Sequence, residues 1–372
     1  MKLSELGEER VVAALTRGLR ANRRVVLRAG DDCAVVKVGR EVQLLKVDSV
    51  IEGIHFLPQA EPNWVGWKAL CRPISDIAAM GGVPNDALVA LAVRADQEFA
   101  WVRRFYKGLR RAADAYRVNL VGGETSRSPG PTFISVSLTG SLEAGRFVSR
   151  TGGRQNDLLY VSGKLGGSLN GKHLKFRPRV EEARWLVRHF SVHAMMDLSD
   201  GLAADLPRLA KASGTGFEVD LKRIPINRGC SLRNALEDGE DYELLFAAPR
   251  SEQKKLVQQW SRAFPKLPLT CVGHLAAPNS CSFLGEGYDH FRSGTRHECQ
   301  RECNAGREIH GIEIVAEVGH IEPSTDFGKI EGVESQWLPV VRNGAEYCFV
   351  PSGRIYLDQI AGIGARSCKA HQ

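Results

Sequence analysis

Six aspartates fall in four short turns, each set against an apolar stretch: Asp31 and Asp32 in AGDDCAVV, Asp48 in KVDSVIEGIHF, Asp76 in PISDIAAMGG, and Asp197 and Asp200 in MMDLSDGL. Carboxylates beside Gly and Ser at the ends of strands and helices suit a hard cation such as Mg²⁺. That ion takes oxygen ligands in octahedral geometry and bridges protein carboxylates to phosphates. The chain has no G-x-x-x-x-G-K-[ST] run, so a nucleotide would not sit on a P-loop. A fold for this chain has to gather four distant turns, and the chemistry they point to is phosphoryl transfer run by metals.

At 372 residues, with 43% hydrophobic and 25% charged residues, the chain has the makings of a soluble enzyme of two compact domains plus an appendage. The net charge of +7 is mild, and its Lys and Arg are scattered with few aromatics between them. That pattern suits steering of anionic phosphates better than nucleic-acid binding. The start, MKLSELGEERVVAALTRGL, carries acids where a signal peptide carries bases, and no run approaches the roughly 20 apolar residues of a membrane span. A cytoplasmic protein with no membrane partner is expected. Cys33, Cys71, Cys230, Cys271 and Cys281 are widely spaced and read as reduced packing cysteines.

Periodicity predicts a first amphipathic helix over 4–19, then strands over 25–38 and 41–51 joined at Gly39-Arg40. WVGWKALCRPISDIAAMGG reads as a helix ended by Gly81-Gly82, with a kink or restart at Pro73. Strands are expected over 86–93, 118–124 and 131–142, and a helix over 99–117. Composition turns to Gly, Arg and polar residues at 143–157, where a domain boundary is placed. Beyond it come the strands DLLYVSG, GFEVDLKRI, YELLFAA, LTCVGHL and CSFLGE, the helix VEEARWLVRHF, and a helical Leu202/Leu206/Leu209 stripe. Strands and helices mix without strict alternation, which makes the class α+β, with mixed sheets and flanking helices.

Taken in order, GDDCAVV, VDSVIEGIHF, KALCRPISDIAAMGG, LVGGETSR, SRTGGRQNDLLYVSG, DLSDGLAADL, GEDYELLF and GYDHF resemble the thiamine-monophosphate kinase family, over about residues 1–291. That family belongs with aminoimidazole ribonucleotide synthetase, selenophosphate synthetase and a hydrogenase maturation protein. The resemblance implies a two-domain synthetase-like fold: 1–142 for ATP and Mg²⁺ binding and dimerisation, 143–291 a synthetase-like domain, and 292–372 an extension without an assigned role. It implies ATP-dependent phosphorylation of thiamine monophosphate by direct transfer, with several Mg²⁺ ions, in a homodimer. By position it implies metal ligation by Asp32, Asp48, Asp76, Glu124, Asp197 and Asp200, with Asp48 and Asp200 catalytic. ATP would meet Gly123, Arg150 and Ser199, and the thiamine side would meet His55, Glu240 and Tyr288.

The chain departs from the family's pattern at three places. Lys46-Val47 stands where Ser/Thr-Thr is usual before Asp48, and the lysine either stands in for one metal's charge or weakens that metal's binding. Strand alternation puts Lys46 and Asp48 on one face. Arg72-Pro73-Ile74 replaces Val-Asn-Leu ahead of Ser75-Asp76, and Glu124 replaces Asp. The alternatives are a catalytically weakened nucleotide-binding homologue, or a sister ATP-dependent enzyme. The first cysteine, Cys33, lies inside the acidic motif, which counts against the selenophosphate branch. Cys368 lacks the surroundings of the hydrogenase-maturation tail. In 292–372, Cys299-x-x-x-Cys303 with His297 and His310 is a weak zinc signal.

Overall fold

The computed structural model describes residues 2–291, apart from Ala144, Cys281, Phe283 and Glu286, and two further strands. The chain divides into two units, Met1–Ala305 and Gly306–Gln372. Of the second unit, the antiparallel pair Trp337–Arg342 and Glu346–Pro351 is described. The Cys299, Cys303, His297 and His310 of the tail lie outside the described residues.

The first unit holds two sheets. The first is built from β1 (Val25–Leu27), β2 (Ala34–Val38), β3 (Glu41–Ile51), β4 (Val83–Val93), β5 (Asn119–Arg127) and β6 (Phe133–Ser141) in the order β1-β2-β3-β6-β4-β5. Only β4 and β5 run parallel, joined by the crossover helix α4 (Phe99–Tyr116). Alternation sends Leu44, Val50, Val89, Leu91, Ile134, Val136 and Leu138 to one face, where they are buried beneath α3 (Pro62–Ala79). The opposite face leaves Leu45, Val47, Leu88 and Phe133, with Val121 on edge strand β5, exposed to solvent.

The second sheet, β8 (Ala194–Asp197), β10 (Leu244–Ala248), β7 (Leu158–Ser162), β11 (Leu269–Ala276) and β9 (Gly216–Val219) in that order, is antiparallel throughout. Its central strands are buried on both faces. Leu158, Tyr160 and Phe246 join the core that also holds α3, with α5 (Val180–His189) and α8 (Gln253–Ala263). Leu159, Val161 and Leu245 enter a second core under α6 (Leu202–Ala212). Two-sided burial is why these strands read as unbroken apolar runs rather than alternating ones.

Several expected elements take a different form. The first helix is two, α1 (Leu3–Leu6) and α2 (Glu8–Thr16), parted by Gly7 at φ 75°, and only Val11 of the pair is buried. The stretch 25–38 is not one strand: the chain leaves the sheet between β1 and β2, with Gly30 at φ 119°, and so frees Asp31 and Asp32 from the ladder. Helix α3 runs through Pro73 without a restart. It ends as expected, in a Schellman turn: Gly82 N–H donates to Ile77 O at 2.9 Å, Gly81 N–H to Ala78 O at 2.7 Å, and Gly81 takes φ 74°. The described part of CSFLGE is irregular, and GFEVDLKRI gives only β9 before a 3₁₀ turn.

Helices α3 and α4 approach closely because glycines face the contact. A Cβ on Gly108 would lie 1.7 Å from Asn63 O, and one on Gly66 would lie 2.0 Å from Phe105 O. Backbone cannot give way as a flexible side chain does. Gly108→Ala is therefore expected to lower stability by about 2–3 kcal/mol, read as a fall in the urea midpoint at unchanged m-value.

Candidate active site

Three elements bring carboxylates to one point. The loop before β2 supplies Asp32, the last turn of α3 supplies Asp76, and the end of β8 supplies Asp197. All three are buried, and each offers an oxygen within 4.8 Å of the others. Ser75 Oγ donates to Asp197 Oδ2 at 2.5 Å. Burial and the neighbouring Asp32 charge push Asp197 up to about 7. Burial raises Asp76 well above the ordinary range, against the pull of Lys46. Asp31, beside the triad, is pushed to about 6 by burial and Asp32. Like charges in a dry site disfavour ionisation, so this geometry calls for cations.

Some cations are built in. Lys46 and Asp48 project from the helix-facing side of β3, in step with Leu44 and Val50. Lys46 Nζ lies 2.7 Å from Asp76 Oδ1 and 3.7 Å from Asp48 Oδ1. Burial works against its charge, but the two carboxylates outweigh burial and hold its pKa above the usual lysine value. Arg150 donates from Nη2 to Asp32, and its backbone N–H donates to Asp31 Oδ2 at 3.0 Å. Arg72 donates from Nη1 to Ser49 O at 2.6 Å, next to Asp48.

Asp200 stands outside the triad and pairs with Arg208 at 2.5 Å. Its loop is ordered by Asp205, fully buried, which accepts N–H bonds from Ser199 at 3.0 Å and Asp200 at 2.9 Å. The GEDYE segment then zips onto this loop: Glu240 N–H donates to Ser199 O and Tyr242 N–H to Leu198 O, both at 2.8 Å. Glu240 and Tyr242 hold φ 55° and 51° to do so. Left-handed backbone at non-glycine residues costs on the order of 1 kcal/mol each and marks a site that its surroundings over-determine.

At the other end of α3, Lys68, fully buried, donates to His55 O at 2.7 Å and to Glu240 Oε2. His55 Nδ1 accepts the Ile51 N–H at 3.1 Å, which assigns the neutral ring's proton to Nε2. The His55 and His290 rings lie 5.7 Å apart and Tyr288 meets His290 edge-on at 5.0 Å. Tyr288 N–H donates to Asp200 O at 3.0 Å, which ties this end back to the acidic loop. His55, Glu240 and Tyr288, expected together, are thus linked through Lys68, His290 and Asp200.

Two expected residues lie apart. Glu124 on β5 is exposed beside Ala90 and accepts from Ser126 Oγ at 3.3 Å. The parity of the β4–β5 pairing turns it to the sheet's open face, away from α3, so the structure does not bring it to the triad. Gly123 has a packing reason to be glycine: its Cβ would lie 1.9 Å from Val89 O. Lys68, Arg208, Asp205 and His290 were not singled out from sequence. A lysine in the apolar helical run WVGWKALC was the signal for Lys68, since a charge there must be buried with a partner. Lys68→Met leaves Glu240 a buried carboxylate without its cation and is expected to cost about 3–5 kcal/mol. The double variant Lys68→Met/Glu240→Gln should recover most of that loss in urea unfolding. Additive losses would show that the pair does not act as a unit.

The chain matches the family model for the AIR synthase related protein N-terminal domain over residues 30–142, and that for the C-terminal domain over 136–280. It is 36% identical over 264 residues to a thiamine-monophosphate kinase of Rhodopirellula baltica, covering 66% of this chain and 83% of that one. To the enzyme of Aquifex aeolicus it is 34% identical over 326 residues, covering 78% of this chain and 100% of that one. A solved structure described as AaThiL complexed with AMPPCP and TMP superposes with a TM-score of 0.68 at 32% identity, over 78% of this chain and 99% of that one. A solved structure described as the HypE–HypF complex shares the fold at 18% identity, with a TM-score of 0.60 over 75% of this chain and 98% of that one. On sequence and fold together, the chain belongs to the thiamine-monophosphate kinase family, built from two AIR-synthase-related domains.

Proposed function

We propose that the site phosphorylates thiamine monophosphate with ATP by direct transfer, and that its carboxylate floor works with several Mg²⁺ ions. The observation that carries this reading is the buried Asp32–Asp76–Asp197 triad at the end of α3, with a His55–Glu240–Tyr288 cluster joined to the same helix through Lys68. Relatives are named thiamine-monophosphate kinase, and the AaThiL structure is described with AMPPCP and TMP. The donors fit a hard cation. They are oxygens from separate elements, and Asp32 Oδ2 is buried with no hydrogen-bond partner among the described residues. Asp32, Asp76 and Asp197 would hold the metal, with Asp48 and Asp200 alongside. When bound, Mg²⁺ supplies neutralisation of the phosphate oxygens during transfer.

The chain's own residues supply alignment. Arg150, anchored on Asp31 and Asp32, offers a guanidinium fork to ATP phosphates, with Ser199 contributing to the same nucleotide site. His55, Glu240 and Tyr288 take thiamine monophosphate. A carboxylate near the thiazolium cation and an aromatic face over it are the complementary partners for that ring. A phosphate oxygen of the substrate attacks the γ-phosphorus, the bond to the β-phosphate oxygen breaks, and ADP leaves. Such a reaction needs positioning and charge neutralisation more than covalent chemistry.

We place the reaction in the cytoplasm, on the strength of ATP as donor and the free thiols of Cys33, Cys71, Cys230 and Cys271. None of the helices among the described residues is long and apolar enough to cross a membrane. We also propose a homodimer formed on the open sheet face, where Leu45, Val47, Leu88, Val121 and Phe133 present apolar surface without cover from the described chain.

Purified protein with ATP, Mg²⁺ and thiamine monophosphate is expected to form thiamine diphosphate and ADP in equal amounts. ATP binding without product would favour the catalytically weakened homologue. Asp48→Asn and Asp200→Asn should each reduce turnover by about two to three orders of magnitude with melting temperature little changed. Near-normal rates at saturating Mg²⁺ would remove those residues from the mechanism. Light scattering at micromolar concentration should give twice the chain mass, and Val47→Arg should give the monomer. A monomeric native protein would rule the dimer out.

A further inference from the structure

The carboxylate floor contains a cation that belongs to the chain itself. Lys46 reaches across from β3 until its ammonium lies 2.7 Å from Asp76 Oδ1 and 3.7 Å from Asp48 Oδ1. It therefore occupies the point between two carboxylates of different elements. A Mg²⁺ ion approaching Asp76 from that side, at its ligand distance of about 2.0–2.1 Å, would meet the ammonium already there. An ion bound to Asp76 Oδ1 on the side facing Asp48 would overlap the lysine nitrogen. Arg72, held by Ser49 O on the neighbouring backbone, adds a second fixed positive charge on the same side. On the other side the triad remains as described, with Asp32 Oδ2 lacking a hydrogen-bond partner.

We propose that Lys46 is a built-in replacement for one divalent cation: its ammonium takes the position between Asp48 and Asp76, and the chain binds one metal ion fewer there than its carboxylates alone would hold. The proposal rests on the kinase reading for its consequence and on geometry alone for its ion count. A divalent ion is recruited by mass action, so its occupancy rises with the free concentration. An ammonium on a tethered stem is present at every concentration. It brings one positive charge where the ion would bring two, and it leaves no open coordination position for a phosphate oxygen. Lys46 therefore neutralises and positions Asp48 and Asp76 without itself bridging substrate as a metal does.

The test counts ions. Metal-free full-length protein is titrated with Mn²⁺, without nucleotide or thiamine monophosphate, and bound ion is read by electron paramagnetic resonance. Lys46→Thr clears both charge and volume and is expected to bind one more Mn²⁺ per chain than the native protein. Lys46→Gln, closer in length, guards against a fold defect in the threonine variant, and circular dichroism checks both. An added ion in either folded variant supports the proposal, and the native count in both overturns it. In the assay, the logarithmic slope of rate against free Mg²⁺ should rise by about one in the variant. Failure of the kinase reading would appear separately, as absence of thiamine diphosphate from the native protein, and would leave the ion count standing.

Discussion

Helix α3 is buried along fifteen of its eighteen residues, so the charged and hydroxyl side chains on its buried length have to be answered inside the protein. It carries Lys68, Arg72, Ser75 and Asp76. Lys68 is answered by Glu240, Ser75 by Asp197, Asp76 by Lys46, and Arg72 by Ser49 O. Glu240 and Asp197 come from the second sheet's half of the unit, Lys46 and Ser49 from the first sheet. The helix cannot be desolvated until both halves present these groups at the right depth. The demand that buried polar groups be satisfied therefore does the work of aligning the two sheets, and the active site is the record of that alignment. The glycine contact with α4 pins the helix from behind, which sets how far its polar residues reach.

The large-scale order of elements was legible because periodicity reports burial. The alternation of 131–142 became β6, and the runs DLLYVSG and YELLFAA became strands buried on both faces. The N-terminal pattern misled because a helical stripe records amphipathicity, not whether a partner surface exists: Leu3, Val12, Leu15 and Leu19 are exposed, and Gly7 breaks the run. At Pro73 the structure excludes a restart. Proline removes one helical hydrogen bond, but a helix packed on nearly every side can absorb that loss without restarting.

The site was legible as a set of turns, not as a geometry. Asp32, Asp76 and Asp197 converge as their motifs suggested. Asp200 pairs instead with Arg208, a residue eight positions on that no motif flagged. Glu124 illustrates a finer limit. Its place after a strand was plain, but which face it takes depends on the β4–β5 register, and that register shifts between Ala87 and Leu88. A one-residue slip sends a side chain to the other face, and a single sequence does not specify where such a slip falls. The apolar run around Lys68 signals its burial, but its partner Glu240 lies 172 residues away and is not legible from the run.

The floor's carboxylates are matched by cations from other elements. Arg150 serves Asp32 from the segment between β6 and β7, Lys46 serves Asp76 from β3, and Arg208 serves Asp200 from α6. Ion pairs taken out of water add little net stability, because desolvation offsets their attraction. A carboxylate left without its partner in the same place is severely penalised. The pairs therefore discriminate between arrangements more than they strengthen the right one: a slip of either sheet against the other would strand a buried charge. Lys46, Arg150 and Arg208 thus offset part of the floor's charge from within the chain. They also lower the mutual repulsion of aspartates gathered from both sheets' sides of the unit.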